Sequence, residues 1–572
     1  MKHIRKYITL LTVVLFLAIC ISAMPRGAVK PYTIMIYMNG SDLESDFGAA
    51  TTDLVEMLES GLDSRNANVI ILTGGTNRWQ NEVIPENDCV IWEMADGWLN
   101  EVTGIGLVSM GAPATLRDFI VYGMENYPAE KYGLILWDHG GGSIAGFGHD
   151  EKFADDSLTL ADMRLAFEEA GLRENKLEFL GFDACLMATI EMAVIAADYA
   201  HVLIASEDLE PGDGWDYVFL SALNHNPRMS GFALGEVIVD TFMDFFGPDS
   251  DEILNLSVID LAQVRPVMAE MGRLMALASS SMKTMEGPGF RDLALRRGVT
   301  KTFGEGSPRD NYSDMVDIGD MALTLIDLFP NDAAALLNAI DRCVVYHRHN
   351  SDTDVFGLST FYIYGGKSEG VESLRAYSDL DMNSNYTEYL HHFFNGLVNK
   401  TKWQDLPLRS ELVLWQPIGQ NRFRMSGLLQ ASAPDDDLLW PSLNGNPVSL
   451  YPIAQTSSTR FYAAPAQING RDGDIIICFN RLNPQGRVRG IRYRDGHVIQ
   501  KGHDPIEPGD KIALYALEWD FDKSITETNW HKGEAFTVTD SLRLTWGTAP
   551  RGHWLGYRFT NVVNEVEYTP PF

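Results

Sequence analysis

The order of apolar and polar positions predicts an alternation of strands and helices over the first part of the chain. Six short apolar runs are predicted strands: Tyr32–Met38, Asn68–Leu72, Val90–Trp92, Gly133–Trp137, Phe179–Phe182 and Val202–Ala205. Between them lie amphipathic helical patterns at Leu54–Leu62, Leu116–Glu125, Leu160–Ala170 and Ala188–Tyr199. Such alternation predicts a mostly parallel sheet with helices on both faces.

Residues 206 to about 400 carry longer helical patterns. The predicted helices are Gly231–Phe246, Ala262–Met282, Ala333–Tyr346 and Tyr386–Asn399. Two further strands are predicted at Leu254–Ile259 and Val355–Ile363, and we expect the second to complete the sheet at one edge. The pattern therefore predicts one α/β domain over residues 30–400.

Beyond Leu406 the pattern changes to short alternating runs. These runs are Glu411–Trp415, Phe461–Ala464, Asp474–Cys478, Lys511–Ala516, Leu542–Trp546 and Tyr557–Thr560. Turn-forming pairs such as Asn444-Gly445 and Asn469-Gly470 separate them. This is typical of an all-β sandwich or barrel, which we expect over residues 408–572, after a linker near Lys402–Pro407.

The N-terminus has the pattern of an export signal. Lys2, Arg5 and Lys6 precede an uncharged apolar run that ends in the small residues Ser22-Ala23. We therefore expect residues 1–23 to be a signal peptide and the protein to be secreted, periplasmic or displayed at a prokaryotic cell surface. Contact with a membrane is expected only through this segment, if it stays uncleaved or carries a lipid.

The net charge of −33 excludes some partners. Nucleic-acid binding needs a positive surface, so no nucleic acid is expected. The sequence calls for no cofactor. Two acidic clusters, Asp435–Asp437 and Asp520-Phe-Asp522, have the chemistry for calcium but lack the E-F hand pattern, and solvated turns are the default interpretation. The oligomeric state is not indicated.

Two of the predicted strands end at chemically capable residues. Gly133–Trp137 is followed by Asp138-His139 and three glycines, and Phe179–Phe182 is followed by Asp183-Ala184-Cys185. In an open parallel sheet, ligands bind at the carboxyl ends of the strands. An imidazole beside a thiol activates it as a nucleophile. The two strand ends therefore predict a Cys/His enzyme.

Other interpretations of these residues stay open. Cys89, Cys185, Cys343 and Cys478 remain after export and lack C-x-x-C spacing, so no zinc site is indicated. Two disulfides, or simple burial of each thiol, would also account for them. Gly141-Gly-Ser143-Ile-Ala145 is a near miss to a serine nucleophile elbow and makes a serine hydrolase a weaker alternative.

Several segments together resemble the clostripain family of cysteine endopeptidases, which have a caspase-like fold. The resemblance lies in Leu134–Gly142 and Gly181–Met187, with further similarity at Tyr37–Glu44, Ser206–Trp215 and Gly357–Phe361. It covers about residues 30–400, and residues 410–572 lie outside it.

The resemblance implies a role for each residue of the two strand ends. Cys185 would be the nucleophile and His139 the general base and acid, as a dyad without a third member. The N–H groups of Gly140 and Cys185 would form the oxyanion hole. Asp183 would bind a basic substrate side chain in the S1 pocket. The alternative for Asp183 is a helix cap, if Cys185 opens a helix.

Two more residues are candidates on the same grounds. Asp213 is a second candidate for S1, although its loop would be equally well explained as exposed and solvated. Lys152 is a candidate site of self-cleavage, and some family members use calcium. The predicted function is an exported cysteine endopeptidase that cleaves proteins or peptides after Arg or Lys. The alternative is a catalytically degenerate domain that serves in binding or adhesion at the cell surface.

Overall fold

The structure is a computed structural model, and two separate sheets dominate it. It describes residues 29–248, 250–282, 288–307, 313–365, 367, 369–399, 407–419, 422–429, 439–493, 501–520, 529–548 and 554–569. The predicted signal peptide, Asp435–Asp437 and Asp522 lie outside the described residues.

The first region contains fourteen strands among its described residues. They are β1 Lys30–Asn39, β2 Ala67–Gly74, β3 Cys89–Ala95, β4 Trp98–Gly106, β5 Ala129–Trp137, β6 Phe147–Asp150, β7 Asp156–Leu158, β8 Leu177–Asp183, β9 Ala200–Ala205, β10 Asn255–Asp260, β11 Thr302–Phe303, β12 Met315–Asp317, β13 Val344–His349 and β14 Ser359–Phe361.

The α-helices of this region connect the strands and cover the sheet. They are α1 Ser41–Ser45, α2 Ala49–Glu59, α3 Pro113–Asn126, α4 Gly142–Ala145, α5 Leu160–Glu169, α6 Ile190–Ala196, α7 Ala222–His225, α8 Gly231–Phe246, α9 Val264–Ser281, α10 Pro288–Arg297, α11 Ile318–Leu325, α12 Pro330–Cys343, α13 Gly370–Asp379 and α14 Ser384–Val398. Short 3₁₀ helices lie at Glu151–Phe153 and Tyr217–Ser221.

The central sheet has the strand order β13-β10-β9-β8-β5-β1-β2-β3-β4. Its middle strands β9, β8, β5, β1 and β2 run parallel to one another. Towards each edge the neighbouring strands pair antiparallel, through β10 and β13 on one side and β3 and β4 on the other. Alternate residues of a strand point to opposite faces, so Leu134 and Leu136 pack in one buried cluster while Ile135 and Trp137 pack in the other. Helices cover both faces, which confirms the predicted α/β fold.

Two sequence predictions at the edge of this sheet are wrong. The Val355–Ile363 run does not complete the sheet: Gly357 takes a φ of +81°, and only Ser359–Phe361 forms a strand, in a small sheet with β12 and β11. The edge strand is instead β13, which was predicted as the end of helix Ala333–Tyr346. That helix ends at Cys343, where two β-branched valines follow.

The second region, called here the C-terminal β region, begins at Pro407. Its strands are β15 Pro407–Gly419, β16 Arg422–Leu429, β17 Leu439–Leu443, β18 Asn446–Pro447, β19 Tyr451–Gln455, β20 Thr459–Ile468, β21 Arg471–Asn480, β22 Arg487–Tyr493, β23 Lys511–Asp520, β24 Asn529–Lys532, β25 Phe536–Thr537, β26 Leu544–Thr548, β27 Trp554–Asn561 and β28 Val566–Tyr568.

The strands of the C-terminal β region pair antiparallel. The main sheet runs β22-β21-β20-β23-β16-β15-β27-β28, with β19, β24 and β25 paired to it, and β18-β17-β26 form a second sheet. Alternate residues such as Ile475 and Ile477 fill a core of their own. The prediction of an all-β region is confirmed.

In the described part of the chain, no helix combines the length and apolar character that crossing a bilayer demands.

We expect truncation of a central strand residue to destabilise the fold strongly. Leu134 of β5 is fully buried, and Leu134→Ala would cost about 2–5 kcal/mol of unfolding free energy through lost burial and the cavity left behind. Leu165→Ala is the matched control, because Leu165 is 47% exposed. Thermal unfolding followed by circular dichroism should give a clearly lower midpoint for the first variant alone. Equal midpoints would contradict the assignment of β5 to the core.

Candidate active site

The register of β5 and β8 brings the two strand ends together. The strands run parallel with Trp137 opposite Asp183, so the residues that follow each strand leave the sheet side by side. The N–H of Asp138 donates to the carbonyl of Asp183 at 3.4 Å. His139 follows Asp138 directly, and Cys185 lies two residues after Asp183. Both therefore lie at the same edge of the sheet.

Gly140 is required by the close approach of these two chain segments. A Cβ built on Gly140 would lie 1.9 Å from the carbonyl oxygen of Cys185, far inside van der Waals contact. Any other residue would push the His139 loop away from the Cys185 turn. The glycine after the histidine thus has a packing reason that is independent of any N–H donation.

Cys185 lies in a tight, buried turn. The N–H of Glu210 donates to its Sγ at 3.2 Å, and the next residue, Leu186, has a φ of +60°. Helix α6 begins only at Ile190, with Thr189 as its cap, so the expectations that Cys185 opens a helix and that Asp183 caps it are wrong. Burial raises the pKa of the Cys185 thiol to about 12.

His139 is held by a carboxylate that the sequence reasoning missed. Its Nε2 lies 2.7 Å from Oδ1 of Asp42, which belongs to α1, directly after β1. Burial disfavours the charged ring, but the Asp42 charge and hydrogen bond outweigh it and raise the pKa of His139. Burial likewise acts to raise the pKa of Asp42, but His139 lowers it. The position of Asp42 in the sequence was a signal that could have indicated this contact. Because β1 runs parallel to β5 and next to it, the residues after β1 lie at the same sheet edge as His139.

Asp183 lies at the base of a buried acidic pocket, defined here by Asp183, Glu210, Gly214, Trp215 and Tyr217. Oδ2 of Asp183 accepts from the Tyr217 hydroxyl at 3.1 Å and from the Trp215 N–H at 3.3 Å. A Cβ on Gly214 would lie 2.6 Å from Oδ1 of Asp183, so a side chain there would fill the pocket. Burial raises the pKa of Glu210.

The acidic pocket is occupied by Lys501 of the C-terminal β region. Its Nζ donates to Oδ1 of Asp183, and it lies 3.5 Å from Oε2 of Glu210. Burial opposes the charge of the ammonium, yet the nearby carboxylates raise the pKa of Lys501 above its ordinary value. Neither Lys501 nor Glu210 was singled out from the sequence.

The backbone of Lys501 also engages His139. Its N–H donates to Nδ1 of His139 at 2.8 Å, so Nδ1 is the unprotonated nitrogen. The neutral ring then carries its proton on Nε2 and donates it to Asp42. Asp42 thereby fixes the tautomer and leaves Nδ1 as the acceptor.

Two other predicted residues are less buried than Asp183 and Glu210. Asp213 is exposed on the loop between Gly212 and Gly214, and the second carboxylate near the Lys501 ammonium is Glu210. Lys152 is half-buried in the 3₁₀ helix Glu151–Phe153, where its Nζ donates to the carbonyl of Asn77 at 3.1 Å.

The structure supports burial of the four thiols but neither disulfides nor a serine nucleophile. Cys89, Cys185, Cys343 and Cys478 are all free and buried, so the two-disulfide interpretation is wrong for them. Ser143 is buried, and its hydroxyl donates to Glu191 at 2.6 Å. Over the described ranges, no cluster of three or more His, Cys, Asp or Glu side chains is arranged to hold a metal ion.

The family model and the sequence relative that match this chain both belong to the clostripain family. The model of the clostripain family matches residues 36–408, more than half of the chain. Clostripain from Hathewaya histolytica is 28% identical over 225 residues, which are 32% of this chain and 40% of that relative. The match thus spans less than half of the relative's length.

Solved structures with similarity include two bacterial C11 proteases. A secreted C11 cysteine protease from Bacteroides thetaiotaomicron, named iotapain, is 16% identical with a TM-score of 0.48, covering 63% of this chain and 99% of its own. An inactive zymogen C11 protease from Parabacteroides distasonis is 18% identical with a TM-score of 0.48, covering 64% of this chain and 99% of its own.

We expect the pKa of His139 to fall when the Asp42 charge is removed. In Asp42→Asn the burial that disfavours imidazolium persists while the opposing carboxylate is lost, so the ring should titrate at lower pH. Histidine-labelled protein followed by NMR across pH, with His139→Gln to assign the signal, measures this. Asp155→Asn, beside His149, is the control. An unchanged His139 titration would contradict the contact.

Proposed function

The chain belongs to the clostripain family, and from this premise we propose that it is an exported cysteine endopeptidase that cleaves proteins or peptides after Lys and Arg. One observation carries the specificity. A lysine ammonium lies buried against Asp183, and the backbone N–H of the same residue contacts His139. A substrate lysine bound in this manner would have its backbone beside the predicted base and nucleophile.

The proposed reaction is acyl transfer to the thiol. His139 takes the proton of Cys185, and the thiolate attacks the substrate carbonyl carbon. The N–H groups of Gly140 and Cys185 stabilise the oxyanion. His139 then gives its proton to the leaving amine, which releases the C-terminal product and a thioester. Water, deprotonated by His139, hydrolyses the thioester and regenerates the thiol.

Asp42 acts on this reaction through His139. Its hydrogen bond to Nε2 keeps the proton there in the neutral ring and leaves Nδ1 free to accept the proton of Cys185. It also stabilises the imidazolium that forms during acylation. We therefore assign Asp42 as a positioning residue, which extends the predicted dyad.

The acidic pocket accounts for a preference for basic residues. Asp183 is fully buried and already receives two protein hydrogen bonds, which hold its carboxylate in place. A substrate Lys or Arg would pair with it, whereas a neutral side chain would leave a buried carboxylate without a counter-charge. Glu210 supplies a second carboxylate, and Asp213 stays a prediction for S1.

Further parts of the proposal rest on sequence. Export rests on the residue pattern of 1–23, outside the described residues. Self-cleavage after Lys152 stays a prediction, as does any use of calcium. Asp520-Phe-Asp522 is only partly within the described residues, and the acidic tract Asp435–Asp437 is outside them.

The first test is thiol-dependent cleavage of peptides. Fluorogenic peptides with Lys, Arg or neutral residues at P1 are assayed with the chain as purified and with Lys501→Ala, because Lys501 fills the pocket. We expect cleavage after Lys and Arg that is lost in Cys185→Ala and in His139→Ala made in the same background. No thiol-dependent cleavage in either background would refute the endopeptidase and favour the binding or adhesion protein.

The second test separates the acidic residues of the pocket. In the Lys501→Ala background, where Lys501 no longer fills the pocket, Asp183→Asn should lower kcat/KM for Lys and Arg peptides by about 10²-fold or more, since a buried partner of the substrate charge is lost. Asp213→Asn is the matched variant of an exposed aspartate and should change kcat/KM by less than about tenfold. The reverse order of effects would move the specificity determinant from Asp183 to Asp213.

A further inference from the structure

A short segment of the C-terminal β region reaches into the active site of the α/β region. This 501–504 segment lies between β22 and β23 and is fixed to its own region by two backbone hydrogen bonds. The N–H of Ile491 donates to Asp504 at 2.9 Å, and the N–H of Asp504 donates back at 2.8 Å. The segment is therefore presented by a folded sheet.

Lys501 makes its contacts with the other region. Its side chain is fully buried, and its ammonium contacts the side chain of Asp183 and lies 3.3 Å from the carbonyl of that residue. A buried ammonium is costly unless it is compensated by opposite charge. Compensation here comes from Asp183 and Glu210, so the position of Lys501 depends on the docked arrangement.

Gly502 also lies in close contact with the α/β region. It has a φ of +74°, and a Cβ built on it would lie 2.9 Å from the Cα of Gly212, on the loop that leads into the acidic pocket. Backbone therefore lies directly on backbone at this point. A side chain at 502 would force the two loops apart.

Polar contacts also join the two regions outside the acidic pocket. Arg489 and Arg487 of β22 pair with Asp251 at 2.8 Å and 3.1 Å. The N–H of Ser457 donates to the carbonyl of Asn350 at 2.9 Å.

We propose that the C-terminal β region is an intramolecular inhibitor of the peptidase site, with Lys501 bound in place of a substrate's basic residue and the 501–504 segment covering Cys185 and His139. The inference rests on the proposed function for the role of these two residues. It adds that substrates enter only after the 501–504 segment has left the acidic pocket.

The contacts of the 501–504 segment are those of an inhibitor and not those of a substrate positioned for cleavage. Nδ1 of His139, the nitrogen assigned to receive the thiol proton, already accepts the N–H of Lys501. Cys185 is fully buried in this arrangement, and its raised pKa keeps the thiol protonated at neutral pH. Both the base and the nucleophile are therefore inactive while the segment is docked.

The test measures access to Cys185 and peptide cleavage in the full chain. Lys501→Ala removes the bound side chain, and Gly502→Ala forces a methyl against Gly212. Their matched controls are Lys511→Ala, an exposed lysine of the same region, and Gly509→Ala, which has a φ of +107° but open space around its Cβ. Iodoacetamide labelling of Cys185 is followed by peptide mass spectrometry, and kcat/KM is measured with a Lys-P1 peptide.

We expect both test variants to label Cys185 at least about tenfold faster than the wild type and both controls to match the wild type. Cleavage of the peptide should rise in parallel, and melting temperatures verify that each variant is folded. Faster labelling without peptide cleavage would support the block while refuting the endopeptidase. Wild-type protein that cleaves the peptide and labels as fast as both test variants would overturn the block and leave the proposed function standing.

Discussion

The parallel register of β5 and β8 is the constraint on which the candidate active site depends. Pairing Trp137 with Asp183 makes the residues after each strand emerge at one edge, and β1, on the other side of β5, brings Asp42 to the same place. The strands themselves are held by burial on both faces. The geometry of His139 and Cys185 is therefore set by the core of the sheet, and loops contribute mainly the acidic pocket.

Charge in the pocket connects recognition with inhibition. Asp53, Asp183 and Glu210 are all fully buried near one ammonium, and burial raises the pKa of Asp53 and of Glu210. Such a set of acids is favourable only with a cation among them. The ammonium of Lys501 fills this need in the present arrangement, and a substrate lysine or arginine would fill it once Lys501 has left. In the proposed function, the same electrostatics would attract the substrate and hold the blocking segment.

The sequence predicted the parts of the molecule that have strong local patterns. Buried parallel strands are continuous apolar runs, so β5 and β8 and the residues at their ends were identifiable. The edge strand β13 was missed because it follows a helix without a turn signal, and Val344-Val345 alone marks the change. Asp42 and Glu210 lie in segments that resemble the family, but no local pattern in those segments indicates their contacts with His139 and Lys501, and Lys501 itself has no local signal. The contacts of Asp42 and Lys501 with His139 span 97 and 362 positions, and only the folded chain brings them together.

We propose above all that Cys185 is the nucleophile beside a pocket for a basic side chain. A peptidyl affinity label with lysine at P1 and a thiol-reactive group at the scissile position tests it most directly, with Lys501→Ala protein and mass spectrometry of the adduct. We expect one adduct, on Cys185, formed at least about tenfold faster than with a matched label carrying a neutral P1 residue. An adduct on another residue, or equal rates for the two labels, would contradict it.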